Sequence, residues 1–140
     1  MSVVRVQQVS GSTFTAEGKT DTKIIMGSGK NIGEGKVATS PMELVLYGLG
    51  GCTALDVESI LKKMKLTVDN IEIIINSTRS ETHPKVFTQI DMVYHFYGED
   101  LPLKKLERAV KLSKESYCSV SAMLAKTADI TAQIETHNSI

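Results

Sequence analysis

Tryptophan is absent from this 140-residue chain, and aromatics of any kind are scarce, with three Phe and four Tyr. Charge of one sign is also missing: sixteen Lys and Arg are cancelled by sixteen Asp and Glu, and no run of like charge occurs. With neither a phosphate-tracking basic patch nor an aromatic stacking platform, nucleic acid is not an expected partner. There are only two cysteines, Cys52 and Cys118, and they do not form a C-x-x-C pair. That excludes both a secreted disulfide framework and a zinc ribbon, and any disulfide here is expected to be transient. The N-terminal MSVVRVQQVSGSTF has no basic region leading into a long apolar run, and no segment is expected to reach the eighteen or more apolar residues of a membrane span. The expectation is a soluble, cytoplasmic protein with no membrane partner. Its length fits one domain, residues 1–140, able to bury roughly two thirds of its unfolded surface without a metal or staple.

What is present has a clear order. Val3–Val9, Thr13–Gly18 and Thr22–Gly27 are short β-branched segments separated by Gly-containing breaks, which predicts an antiparallel meander. GSGKNIGEGK, Gly27 to Lys36, shows neither period and is expected to be a loop. Ser40, Pro41 and Glu43 then supply an N-cap, a first-turn proline and the third-position carboxylate of a capping box. From there Leu46, Leu49, Thr53, Val57, Ile60 or Leu61 and Met64 recur at threes and fours, predicting one long helix to about Lys65. Gly48, Gly50 and Gly51 interrupt it, each costing about 1 kcal/mol relative to Ala, and the expected reason is close approach of another backbone. Asn70–Thr78 and Val86–Gly98 read as a strand pair, and Pro102 opens a second amphipathic helix with Leu103, Leu106, Val110 and Leu112 inward. A short helical segment after Cys118 and a strand from about Asp129 to Thr136 complete the chain. The fold class is α+β, with mostly antiparallel sheet and two main helices.

Cys52 sits in an apolar helix, where a thiol is usually only a small hydrophobe. Against that, Gly50 and Gly51 remove the side chains that would cover it and leave room for a substrate or a second thiol. Cys118 stands at the start of a helical turn, where free N–H groups would lower a thiol pKa; a buried residue at a helix junction is the alternative. Asp56, four residues after Cys52, would oppose its ionisation, or else is a solvated or lysine-paired helix charge. Glu43 precedes Cys52 by nine residues, which on a straight helix puts it on roughly the opposite face and about 13 Å away. The capping box accounts for it without chemistry, and a catalytic role would need a break at the glycines or a facing subunit.

His83, His95 and His137 show no paired spacing, so no metal site is expected, and no cofactor is implied. No G-x-S-x-G elbow supports serine chemistry, and the glycine-rich loop lacks the G-K-[ST] ending of a phosphate loop.

SPMELVLYGLGGC, running from Ser40 to Cys52, and YCSVSAML around Cys118 resemble the two cysteine motifs of the OsmC/Ohr family, the osmotically inducible and organic-hydroperoxide-resistance proteins. The wording is closest to the YhfA-like branch. The resemblance implies an OsmC-like fold over nearly the whole chain and an intertwined homodimer whose long helices pack centrally. It implies a thiol-dependent hydroperoxide reductase in oxidative-stress defence, with Cys52 attacking the peroxide, Cys118 resolving as a disulfide, and a dihydrolipoyl-type dithiol restoring both. Glu43 would be the family's site glutamate, displaced by one position because Met42 follows the proline. The arginine that other branches supply from the N-terminal strands has no counterpart between Val6 and Arg79; Arg5 lies early, and Lys19 or Lys23 would lose the planar two-point contact. The alternative is a non-catalytic or redox-sensing protein that binds a small hydrophobic ligand in the interface cleft.

Overall fold

The first strand segment, RVQQVS, is exposed at all six positions. The structure, a computed structural model, describes residues 3–28 and 38–139. Beyond Ser28 the glycine-rich loop expected to Lys36 lies outside the described residues. The chain divides into two compact units, one ending at Tyr47 and the other beginning at Gly48.

In the first unit β1 (Arg5–Ser10), β2 (Thr13–Glu17) and β3 (Lys23–Met26) form the expected antiparallel meander in that order. Gly11 makes the first turn with φ +52°, a conformation that costs glycine nothing. Arg5 and Lys23, on the two outer strands, both pair with Glu17 on the central one, at 3.5 and 3.4 Å. Val6, Val9, Ile24 and Ile25 are exposed, and no apolar side chain among the described residues of this unit is buried. Three short strands without a covered apolar face have little stability of their own.

The long helix α1 (Pro41–Lys63) starts as predicted. Ser40 Oγ accepts from the Glu43 N–H at 3.1 Å, and Glu43 Oε2 accepts from the Ser40 N–H at 3.3 Å, a reciprocal capping box. α1 is long and apolar enough to cross a membrane, contrary to the expectation that no segment would be. Its stripe of Leu49, Thr53, Val57 and Leu61 is instead buried in the second unit, and Thr53 bonds Tyr94 of the sheet. Among the described residues of one chain, none of these three glycines meets another backbone. A Cβ on Gly48 or Gly51 would find nothing within 4 Å, and one on Gly50 would meet only the Ile75 side chain at 3.2 Å.

The second sheet has the order β4-β5-β6, from β4 (Asn70–Arg79), β5 (Phe87–Tyr97) and β6 (Asp129–His137). β4 and β5 are an antiparallel hairpin, whereas β6 runs parallel to β5 after the crossover through the helices. The whole is α+β, and its sheet is mostly antiparallel, as expected. Along β5 the side chains alternate: Ile90, Met92, Tyr94 and Phe96 are buried, and Asp91, Val93, His95 and Tyr97 face the other way. Leu106, Ala109 and Val110 of α2 (Leu103–Leu112) join this core, while Leu103, expected inward, is 49% exposed.

The amphipathic pattern of the second helix, LKKLERAVKLSKES, runs on through Ser116. At Leu112 the helix widens into a π-helical turn, Ser113–Tyr117, closed by the Cys118 N–H donating to the Ser113 carbonyl at 2.8 Å. Such turns are uncommon and concentrate at functional sites. A six-residue helix α3 (Ser119–Leu124) follows.

Candidate functional site

The widened turn buries Ser113 completely and leaves Cys118 extended, as the N-cap of α3. Cys118 Sγ accepts from the Ser121 N–H at 3.4 Å. Half-buried Cys52, one residue before Thr53 on α1, brings its sulfur to the same place. The two free sulfurs and a carboxylate oxygen of Asp56 all lie within 4.8 Å of one another. The two cysteines singled out in the sequence are therefore neighbours, and the carboxylate beside them is Asp56. Glu43 is exposed and engaged in the capping box, which is the first of the two roles open to it.

Asp56 is half-buried and pairs with no lysine among the described residues. Instead it accepts a hydrogen bond from Ser113 Oγ at 3.1 Å. Because a hydroxyl carries one proton, this bond fixes the direction of the rest. Ser113, with its proton committed, accepts from Thr53 Oγ1 at 3.0 Å, and Thr53 in turn accepts from the Tyr94 hydroxyl at 2.8 Å. Three hydroxyls thus point one after another toward a single carboxylate. Among the described residues no buried side-chain polar atom lacks a partner.

The electrostatics separate the two thiols. Cys118 is 3% exposed, and its pKa is pushed up to about 11, chiefly by burial, with the neighbouring Cys52 thiol and Asp56 adding to the rise. The Ser121 N–H acts in the opposite direction, as anticipated for a helix start, but burial outweighs it. Burial also raises the Tyr94 phenol, opposed by its bond to Thr53. At neutral pH Cys118 is a protonated thiol.

Thr53, Ser113 and Tyr94 were not singled out as site residues. Thr53 showed only as the one polar member of an apolar stripe, Tyr94 as one place in an alternating strand, and Ser113 gave no signal. The histidine expectation is overturned in part: His95 and His137, although 42 residues apart, meet with their ring nitrogens at 2.9 Å. Parallel pairing of β5 with β6 does this, and no spacing rule within one element detects it. The clefts lined by Leu61, Leu66 and Ile71, and by Ile60, Met64 and Tyr117, contain neither thiol.

A family model described as OsmC-like protein matches residues 33–133. The chain belongs to the OsmC-like protein family. Among its relatives is protein YhfA of Escherichia coli strain K12, 42% identical over 131 residues, which cover 94% of this chain and 95% of that one. A solved structure of a hypothetical protein from Aquifex aeolicus VF5 is similar with TM-score 0.87 and 33% identity, covering 100% of this chain and 98% of that chain. The organic hydroperoxide resistance protein OhrB of Bacillus subtilis shares the fold, with TM-score 0.69 and 17% identity over 96% of this chain and 98% of its own. At that identity the likeness to the hydroperoxide resistance protein is one of fold.

Proposed function

We propose that this OsmC-like protein reduces organic hydroperoxides with the Cys52 and Cys118 pair. The observation that carries the reading is two free thiols of unequal exposure within 4.8 Å. Cys52, the more open of the two, attacks as the thiolate: its sulfur takes the terminal peroxide oxygen, the O–O bond breaks, and the alkoxide leaves as alcohol after taking a proton. Cys52 becomes a sulfenic acid. Buried Cys118 then bonds to that sulfur, and its proton leaves with the hydroxide as water. A dithiol of dihydrolipoyl type reduces the disulfide by exchange and is itself oxidised to a disulfide. Burial, with the Cys52 thiol and Asp56 adding to it, keeps Cys118 protonated until the sulfenic acid forms.

The active form in this reading is a single OsmC-like domain paired with a second copy. Exposed Tyr47, Leu55, Met123 and the uncovered first sheet supply apolar surface for that pairing, and the open faces of Gly48 and Gly51 admit a close-packed helix. Free thiols suit the reducing cytoplasm.

The test is a titration of the reduced protein with cumene hydroperoxide and with hydrogen peroxide, followed by intact mass, beside Cys52→Ser and Cys118→Ser. One equivalent of organic peroxide is expected to close an intramolecular disulfide, with Cys52→Ser inert and Cys118→Ser halting at the sulfenic acid. Survival of both thiols in excess peroxide would replace this reading with that of a ligand-binding protein.

A further inference from the structure

The alternation of β5 that sends Tyr94 toward the thiols sends His95 to the opposite face of the same sheet. There β6 pairs in parallel, setting Glu135 directly beside His95 and His137 beside Tyr97. Three potential ligand atoms converge. His95 Nδ1 lies 2.9 Å from His137 Nε2 and 3.4 Å from Glu135 Oε2, and His137 Nε2 lies 3.9 Å from that same oxygen.

We propose that His95, Glu135 and His137 form a binding site for a divalent late first-row cation, with zinc the best fit. The separations carry the choice of metal. Ligands about 2.0–2.1 Å from a tetrahedral zinc are about 3.3–3.4 Å apart, and the three edges observed straddle that value. Two imidazoles and a carboxylate are also the donors that such ions prefer over the oxygen-seeking magnesium and calcium. The ion would take the place of the proton now lying between the two rings, with the nitrogens opening by about 0.4 Å to the tetrahedral spacing.

Local structure holds the donors in place. The Tyr97 ring stacks on His137 at 4.8 Å between centroids, and the Gly98 N–H donates to the His137 carbonyl at 2.9 Å. The two outer ligands are open to solvent, with side-chain exposures of 57% for Glu135 and 37% for His137 against 14% for His95, which leaves a side for an ion to enter and for water to complete its shell. Across the sheet, Glu72 on β4 holds the place opposite His95 on the same face and adds negative charge near the site.

This site is independent of the peroxide reading, since the thiols lie on the other side of the sheet. The first experiment is equilibrium dialysis of the full-length protein against zinc chloride, with cobalt(II) as a spectroscopic probe. One zinc per chain is expected, weakened at least tenfold in His137→Gln and in Glu135→Gln and unchanged in Cys52→Ser. Cobalt should give visible d–d bands without the near-ultraviolet charge-transfer band of a thiolate ligand. His137 is part-exposed at the last position of β6, so its variant should keep the wild-type circular dichroism; Glu135→Gln serves if it does not. Zinc bound equally by both histidine-site variants, zinc lost in Cys52→Ser, or no zinc bound at about 100 μM would each overturn the proposal.

Discussion

The backbone N–H of Cys118 donates to the carbonyl of Ser113, while the hydroxyl of the same Ser113 donates to Asp56. One residue at the mouth of a π-helical turn therefore sets both the buried sulfur and the carboxylate beside it. Backbone and side chain act separately here, and substitution can tell them apart. Ser113→Ala keeps the 2.8 Å bond that closes the turn but strands the Thr53 hydroxyl and one side of Asp56. A loss of about 1–3 kcal/mol in urea denaturation is expected, with the disulfide still able to close.

The direction of the hydroxyl chain predicts an order of costs. Thr53→Val removes the middle member, leaving a Ser113 lone pair without its donor and the buried Tyr94 proton with only the Met92 sulfur at 3.9 Å, for about 1–3 kcal/mol. Tyr94→Phe removes only the last donor, for about 0.5–1.5 kcal/mol. Chemical denaturation of both variants checks the order; the reverse would mean the protons point the other way.

Alkylation of Cys118 should be slow at neutral pH. In the Cys52→Ser protein, which keeps the burial but loses the raising effect of Cys52, its iodoacetamide rate is expected to climb about tenfold per pH unit from 7 and to level off above the ordinary thiol value of 9.0. The sign for stability follows from the same shift. Folded Cys118 titrates at about 11 and the unperturbed thiol at 9.0, so its contribution is complete below pH 9 and is lost as pH rises through 11. A plateau in alkylation at pH 8 would contradict the burial seen in the structure.

Glu43 offers a test of cap against catalyst. Ser40→Ala is expected to cost about 1 kcal/mol of stability through the lost cap. Glu43→Gln, which retains an acceptor for the Ser40 N–H, should leave peroxide consumption within about twofold, because general acid–base roles are worth about a hundredfold or more. A hundredfold fall in stopped-flow rate would assign the carboxylate to the chemistry.

Gly51 separates the single chain from the proposed pair. A methyl there meets nothing within 4 Å, so Gly51→Ala should favour the helix by about 1 kcal/mol within one chain. If a second copy packs on that face, sedimentation should show weaker association despite the better helix. Unchanged association would place the interface elsewhere.

The sequence by itself determined the elements. Ser40, Pro41 and Glu43 wrote the start of α1, the three- and four-residue stripe wrote its buried side, and β-branched alternation wrote β4 and β5, because each signal lies within a few residues of what it controls. It also marked both cysteines, through motifs local to each. What only the tertiary structure decided is who meets whom. The side Asp56 faces depends on Ser113, 57 residues away, and the meeting of His95 with His137 depends on β6 running parallel to β5. Burial reversed the expected effect of a helix start on Cys118, since desolvation is a property of everything packed around a group and not of its neighbours in the chain. Periodicity records which face of an element is covered; the partner that covers it is chosen by the fold.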